Sequence, residues 1–356
     1  MFALLFILSL AQAQLSPTQL YVKGYSDKAY AQYSLAVSEA KKLDVLVDDF
    51  LAEPSLLKLE LAKNQWIEAR KAYLPTEIYR FFDSPIDDAD GPEGMLNAWP
   101  IDEAYMDSVL GQKNSGIIND LQNYPQLTKD ILLSLNEKDG ETNISTGWHA
   151  IEFLLWGQDF SVTGPGNRPF TDYLDGSAPN ANRRRQYLAL LTDLLVEQLT
   201  SVRDEWNPQR SENYYAAFVQ SPDSLNKLVE ALRFFSGEEL SVERIWVAYD
   251  KQNQENEHSC FSDTTHNDLY FDFLGIQGAI LDSYNGVTLI SLIAQKNAVL
   301  AGEMKAQLAS LELALRQFPA PFDQAIFNPE SRKHIKGIVD GLQILAEQIE
   351  QSKSLL

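Results

Sequence analysis

His149 and Glu152 stand three residues apart inside an otherwise apolar run, Gly147-Trp148-His149-Ala150-Ile151-Glu152-Phe153-Leu154-Leu155-Trp156. An imidazole and a carboxylate at that spacing share one face of a helix, with Cβ atoms about 5–6 Å apart. One hydrogen bond or one metal ion can bridge them, since imidazole and carboxylate together suit iron, zinc, copper and manganese. Two readings follow: a buried histidine satisfied by its neighbour, or two ligands of an ion that recruits others. The second histidine of the H-E-x-x-H and H-x-x-E-H peptidase motifs is missing, because Phe153 follows Glu152. The pair does match, in reversed order, the Glu-x-x-His pairs of carboxylate-bridged iron or manganese bundles.

Other donors come from two stretches. Trp66, Arg70, Tyr73, Glu77 and Arg80 follow at helical steps and share one stripe, a mixed aromatic and charged face that suits solvent or the wall of a polar site. The run from Glu257 to Asp268 contains His258, Cys260, Ser262, Asp263 and His266. Asp263, three before His266, is placed to cap a helix and hold that imidazole. The expected metal ligands are therefore His149, Glu152 and Glu77, with Arg70, Tyr73, His258, Ser262, Asp263 and His266 around them. In a peptidase, Glu152 is the residue for general base or ligand. Protons compete for imidazole near its ordinary pKa of ~6.5, so affinity for an ion is expected to fall between about pH 7 and 5 through His149.

The elements that must position these groups are helices. Ser145-Thr146 and Gly157 delimit a short helix around His149. Apolar residues recur at three and four over Gln19–Leu51, and a second helix runs from Ser55 to about Phe82, kinked at Pro75. Short helices are expected around Asp102–Leu110, Gly116–Leu121 and Leu127–Leu135. Longer ones follow at Asn182–Trp206, after Ser221-Pro222, and at Leu289–Phe318 and Ser331–Ser352. A second mixed stripe, Glu239, Glu243, Trp246 and Asp250, echoes the first. No set of alternating β-type runs occurs, so the expected fold is all-α: two related helical bundles with the site between the halves. Residues 14–160 form the first bundle, the Gly- and Pro-rich stretch 161–181 a linker, and 182–356 the second bundle.

Composition narrows the function classes. The 356 residues are 45% hydrophobic, enough for substantial cores, and carry a net charge of −21, which repels phosphate backbones; nucleic acid is excluded as a partner. Residues 1–13 read as a signal peptide, an apolar run closed by Ala11-Gln12-Ala13, and no later stretch is long and apolar enough to span a bilayer. An exported protein, periplasmic or at the surface of a bacterium, is expected. A single cysteine, Cys260, leaves no intramolecular disulfide to stabilise it.

These residues carry a resemblance. Gly147-Trp148-His149-Ala150-Ile151-Glu152 resembles the GxHxxE motif of the imelysin family, and the run from His258 through Cys260, Phe261, Ser262, Asp263 and His266 resembles its second signature. The linker Gly164–Phe170 and the helix with Trp66, Arg70, Tyr73 and Glu77 are similar as well, so the likeness spans the chain after residue 13. It implies two helical bundles, export, and a part in bacterial iron acquisition with a site built on GxHxxE. On this basis the expected ligand is iron or another divalent metal, with zinc, copper and manganese as possibilities, and a membrane uptake component is a possible partner. A metallopeptidase using the HxxE pair is the alternative. A metal-free module for a peptide, glycan or haem, walled by Trp148, Trp156 and Tyr270, is a third class.

Overall fold

The first long helix, α1 (Pro17–Ala52), is started by chemistry visible in its sequence. The Ser16 hydroxyl accepts from the Gln19 backbone, Gln19 answers through its side chain, and Pro17 needs no partner for a missing N–H. A computed structural model describes residues 15–161 and 163–356; the expected signal segment lies outside them. α1 is followed by α2 (Leu56–Tyr73), capped by Ser55 and packed along it. Pro75 tightens the chain beyond α2 into a 3-10 segment, Leu74–Tyr79, where a kinked α-helix was expected.

Two more helices complete the first bundle: α3 (Gly147–Trp156) and α4 (Ala181–Glu205). Although the sequence places α4 at the start of the second half, it lies along α1 and against α3, and we group it with the first bundle on these contacts. The second bundle comprises α5 (Ser224–Phe234), which continues into a π-helical segment Phe235–Trp246, then α6 (Thr265–Leu281), α7 (Ala298–Arg316) and α8 (Pro329–Lys353). The expected helix over Leu289–Phe318 is interrupted because the Asn297 side chain caps a fresh start by accepting from Leu300 N at 3.1 Å. The segment at Gly116–Leu121 forms turns instead of a helix.

Among the described residues there is no strand, and the fold is all-α as expected, with two isolated bridges as its sole β-type pairs. α6 joins the halves by packing on the 3-10 segment, on α2 and on α7. Gly275 makes that approach possible, since a Cβ there would stand 2.8 Å from the Pro75 carbonyl oxygen. Buried tyrosines of α1 tie the same region together: Tyr21 donates to Ala279 O at 2.7 Å and Tyr25 to Ile78 O at 2.9 Å. The mixed stripe running from α2 into the 3-10 segment thus faces α3 and α6 and not water; Trp66, Arg70, Tyr73 and Glu77 are all buried.

Candidate metal centre

α3 is a wholly buried helix whose ends are set by glycine. Gly147 has φ +90° and lies so close to the Leu96 carbonyl that a Cβ would stand 2.5 Å from its oxygen, while Gly157, at φ +76°, ends the helix. The expected caps are used otherwise: Ser145 Oγ donates to Leu132 O at 2.7 Å and Thr146 Oγ1 to Met95 O at 3.0 Å, fixing the entry of the chain.

From this helix His149 and Glu152 meet as their spacing predicts, with Nδ1 2.8 Å from Oε2. The other carboxylate oxygen, Oε1, accepts from the Ser262 backbone N–H at 2.9 Å and from its hydroxyl at 2.7 Å, which links the two motif segments across the halves of the chain. Burial pushes the Glu152 carboxyl up to about 8, against the pull of those donors. Burial and then the charge of Arg70 hold the His149 imidazolium well below its ordinary pKa. The titration expected of His149 near 6.5 is therefore displaced downward.

A second imidazole faces the first. The rings of His149 and His258 lie edge to face with centroids 4.8 Å apart. His258 Nδ1 is 2.7 Å from Asp268 Oδ2, which also accepts from Ser259 Oγ at 2.6 Å and Arg70 Nη2 at 3.0 Å. Burial alone would raise Asp268, but Arg70 and the hydrogen bond with His258 keep it well below the usual carboxylate range. Ionised, it can only accept, so Nδ1 of His258 carries the hydrogen and Nε2 keeps its lone pair. Arg70 is itself held by a ring of aromatics: its guanidinium lies 5.6 Å from the centroids of Trp66 and Trp148 and 5.7 Å from that of Tyr73.

Both Nε2 atoms are buried without a partner, and both rings line one small cavity of about 10 Å³, room for roughly one water-sized particle. Cys260 and Glu257 share its wall. Neither oxygen of the buried Glu257 carboxyl has a partner, and burial, with Asp263 nearby, raises its pKa well above the ordinary value. Carboxylate–histidine pairs that leave Nε2 free are the arrangement by which proteins orient imidazoles for metals, and the donor set fits a transition-metal ion. Among the described residues no three His, Cys, Asp or Glu side chains already converge on one point. An ion held by the two imidazoles would draw in Glu257 or Cys260 by side-chain rotation.

The remaining expected residues divide. Glu77 makes no hydrogen bond to His149 or Glu152; its Oε2 accepts from Arg80 at 2.7 Å and from Arg244. Burial would raise its pKa, but these two arginines hold it far below the usual range. Arg244 also donates to Asp272 at 2.7 Å and to Glu239 at 2.9 Å, so Glu77 sits in a buried ion-pair cluster beside the histidines. Asp263 makes no side-chain bond to His266; its buried oxygens have no partner, its backbone stands at φ +55°, and His266 is partly exposed with Nδ1 free.

Arg244 escaped the sequence reading, and Glu257 and Asp268, though they bound the donor run read from the sequence, were given no role of their own. Asp268 and Glu257 bound the second signature, and two carboxylates flanking a histidine are the signal that was available. Arg244 was hidden because Phe235–Trp246 is π-helical, which brings residues five apart onto one face and pairs Glu239 with Arg244 in place of the α-helical stripe through Glu243.

Comparison with known proteins places the fold and the family. The chain is 21% identical to iron-regulated protein A of Synechococcus elongatus, covering 96% of this chain and 87% of that one. Its fold is shared with the crystal structure of an iron-regulated protein A precursor from Parabacteroides distasonis, at a TM-score of 0.71 and 17% identity over 97% of each chain. The family model described as imelysin matches residues 29–349, which contain both motif segments, and the chain belongs to the imelysin family.

Proposed function

We propose that this protein binds a single divalent transition-metal ion, iron foremost, through His149 Nε2 and His258 Nε2, and serves iron handling in a bacterium outside the cytoplasm. The observation that carries the reading is the pair of buried imidazoles with Nδ1 engaged by carboxylates and Nε2 unpartnered on one cavity. In this reading Glu152 and Asp268 orient the rings, Ser262 positions Glu152, and Glu257 or Cys260 completes the ligand set. Glu77, Arg70 and Tyr73 support the wall. When bound, the ion is cargo or sensor ligand; no bond-breaking step is assigned to it.

The size of the cavity weighs against the other classes. Ligand pockets for drug-sized molecules run to about 300–1,000 Å³, whereas this one holds about 10 Å³, so haem, glycan or peptide does not fit there. For a peptidase, Glu152 needs a reachable water and substrate, yet it is fully buried with both oxygens hydrogen-bonded. The names of the two relatives support a link to iron, and the word precursor in one supports export. No helix among the described residues is long and apolar enough to cross a membrane.

Calorimetric titration of Fe²⁺ under anaerobic conditions, and of Zn²⁺ or Co²⁺, tests the reading. One ion should bind per chain, with affinity lowered about 10- to 100-fold or more in His149→Ala and His258→Ala. Equal binding by wild type and both variants would place the ions on the acidic surface and overturn it.

A further inference from the structure

An ion cannot reach His149 and His258 as they stand, because their side chains are 2% and 0% exposed. One wall of the cavity is unlike the rest. Trp99 and Pro100 line it, and the same two residues line an open groove of about 460 Å³ on the other side. The groove also carries Glu93, Glu137, Glu239 and Glu243 against Arg80 and Lys251; Glu93 is paired with Arg80 and Glu239 with Arg244, which leaves Glu137 and Glu243 against Lys251. Its mouth is therefore a place where cations accumulate.

The wall itself is built to move. Residues 98–101 connect the single-turn helices Glu93–Leu96 and Glu103–Met106 without regular structure. Ala98, Trp99 and Ile101 donate no backbone hydrogen bond, and Pro100 has no N–H. Both ends are anchored: Asn97 N donates to Glu93 O at 2.9 Å and its side chain accepts from Arg70, while Asp102 N donates to Thr142 O at 2.7 Å. Between these anchors the Trp99 ring rests edge-on against His258, centroids 5.0 Å apart. A strap fixed at two points and unbonded between them opens at far lower cost than the packed helices around it.

We propose that Trp99 is the gate of the metal centre: the 98–101 strap swings to connect the acidic groove with the buried histidines, and the ring closes behind the ion. This rests on the proposed metal reading for its cargo, but the access it describes is measurable without metal. Cys260, the chain's one cysteine, lines the same cavity but is partly exposed, so gate opening is read from the change in its alkylation rate between variants and wild type and not from alkylation itself.

The experiment compares wild type, Trp99→Ala, Trp99→Phe and Pro100→Gly, each checked for helix content. Stopped-flow mixing with Co²⁺ reads ion entry and exit, and iodoacetamide alkylation of Cys260 in metal-free protein reads access. Trp99→Ala and Pro100→Gly should speed Co²⁺ association and dissociation together by about tenfold, leaving Kd within about threefold, and speed alkylation about tenfold; Trp99→Phe should stay within about twofold of wild type. Unchanged rates in both loosened variants would overturn the gate, as would faster dissociation alone, which marks Trp99 as a mere support of the bound ion. A wild type that takes no Co²⁺ while alkylation still accelerates in the loosened variants refutes the metal reading and keeps the gate. If neither holds, both fall.

Discussion

His149, from α3, and His258, from the turns that lead into α6, lie edge to face at 4.8 Å, each with Nδ1 engaged by its own carboxylate. The two carboxylates differ in charge, and that difference decides which ring is ready for a metal. Asp268 is ionised and fixes His258 with Nε2 open, whereas Glu152, pushed up to about 8, is largely protonated at neutral pH. A protonated Glu152 donates to Nδ1 and leaves the hydrogen of His149 on Nε2, so that ring must change tautomer before it can bind.

Glu152→Gln tests this tautomer coupling with almost no change in shape. The Ser262 backbone N–H requires an acceptor, so the amide oxygen must occupy the Oε1 position and the amide N–H₂ must face His149 Nδ1. That locks the hydrogen on Nε2. Affinity for Co²⁺ at pH 8 is expected to fall about 10- to 100-fold while the Tm stays close to wild type; calorimetry and thermal unfolding together check it, and retained affinity would refute the coupling.

The pH dependence of binding carries a definite sign. Below about 8, metal-free Glu152 holds a proton that must leave when His149 takes the ion, so Glu152 contributes one released proton per ion bound, and Glu257 or Cys260 a second when it joins the ligand set. Affinity should rise at least tenfold per pH unit from about 6 to 8, and the slope should fall by about tenfold per pH unit in Glu152→Gln. Since burial keeps His149 neutral to well below 6.5, no separate step is expected near that pH. Titrations in two buffers of different ionisation enthalpy would count the protons directly.

Removing Arg244 strands the carboxylates it serves. Arg244→Met leaves Asp272 with no cation partner and Glu77 with Arg80 alone, all in the buried junction between the halves. A cost of about 3–5 kcal/mol is expected from an uncompensated buried charge. Urea unfolding measures it, and a loss below about 1 kcal/mol would show that Asp272, whose pKa burial already raises, takes a proton in place of Arg244.

Gly147→Ala should harm the site through the backbone. Alanine is strained at φ +90°, and its Cβ would collide with the Leu96 carbonyl, so the first turn of α3 must shift. A destabilisation of about 2–4 kcal/mol is expected, with weakened metal binding because His149 sits in that turn. A Tm and Co²⁺ affinity matching wild type would count against this role for the glycine.

What the chain dictates locally was legible in its sequence. Apolar spacing, the helix start at Ser55 and the lack of alternating runs fix an all-α fold, and the i, i+3 spacing fixes the bond between His149 and Glu152. These depend on neighbours within a turn or two. What joins distant segments was not legible: that His258 meets His149, that Asp268 and not Asp263 holds an imidazole, and that Glu77 answers to Arg244. Burial decided those outcomes, because a charged group taken from water must find an opposite charge or lose its own, and which partner it finds depends on where α2, α3 and α6 cross. The π-helical turn at Phe235–Trp246 adds a shift of register that no α-helical periodicity contains, and only the packed structure reveals that Arg244, not Glu243, faces the site.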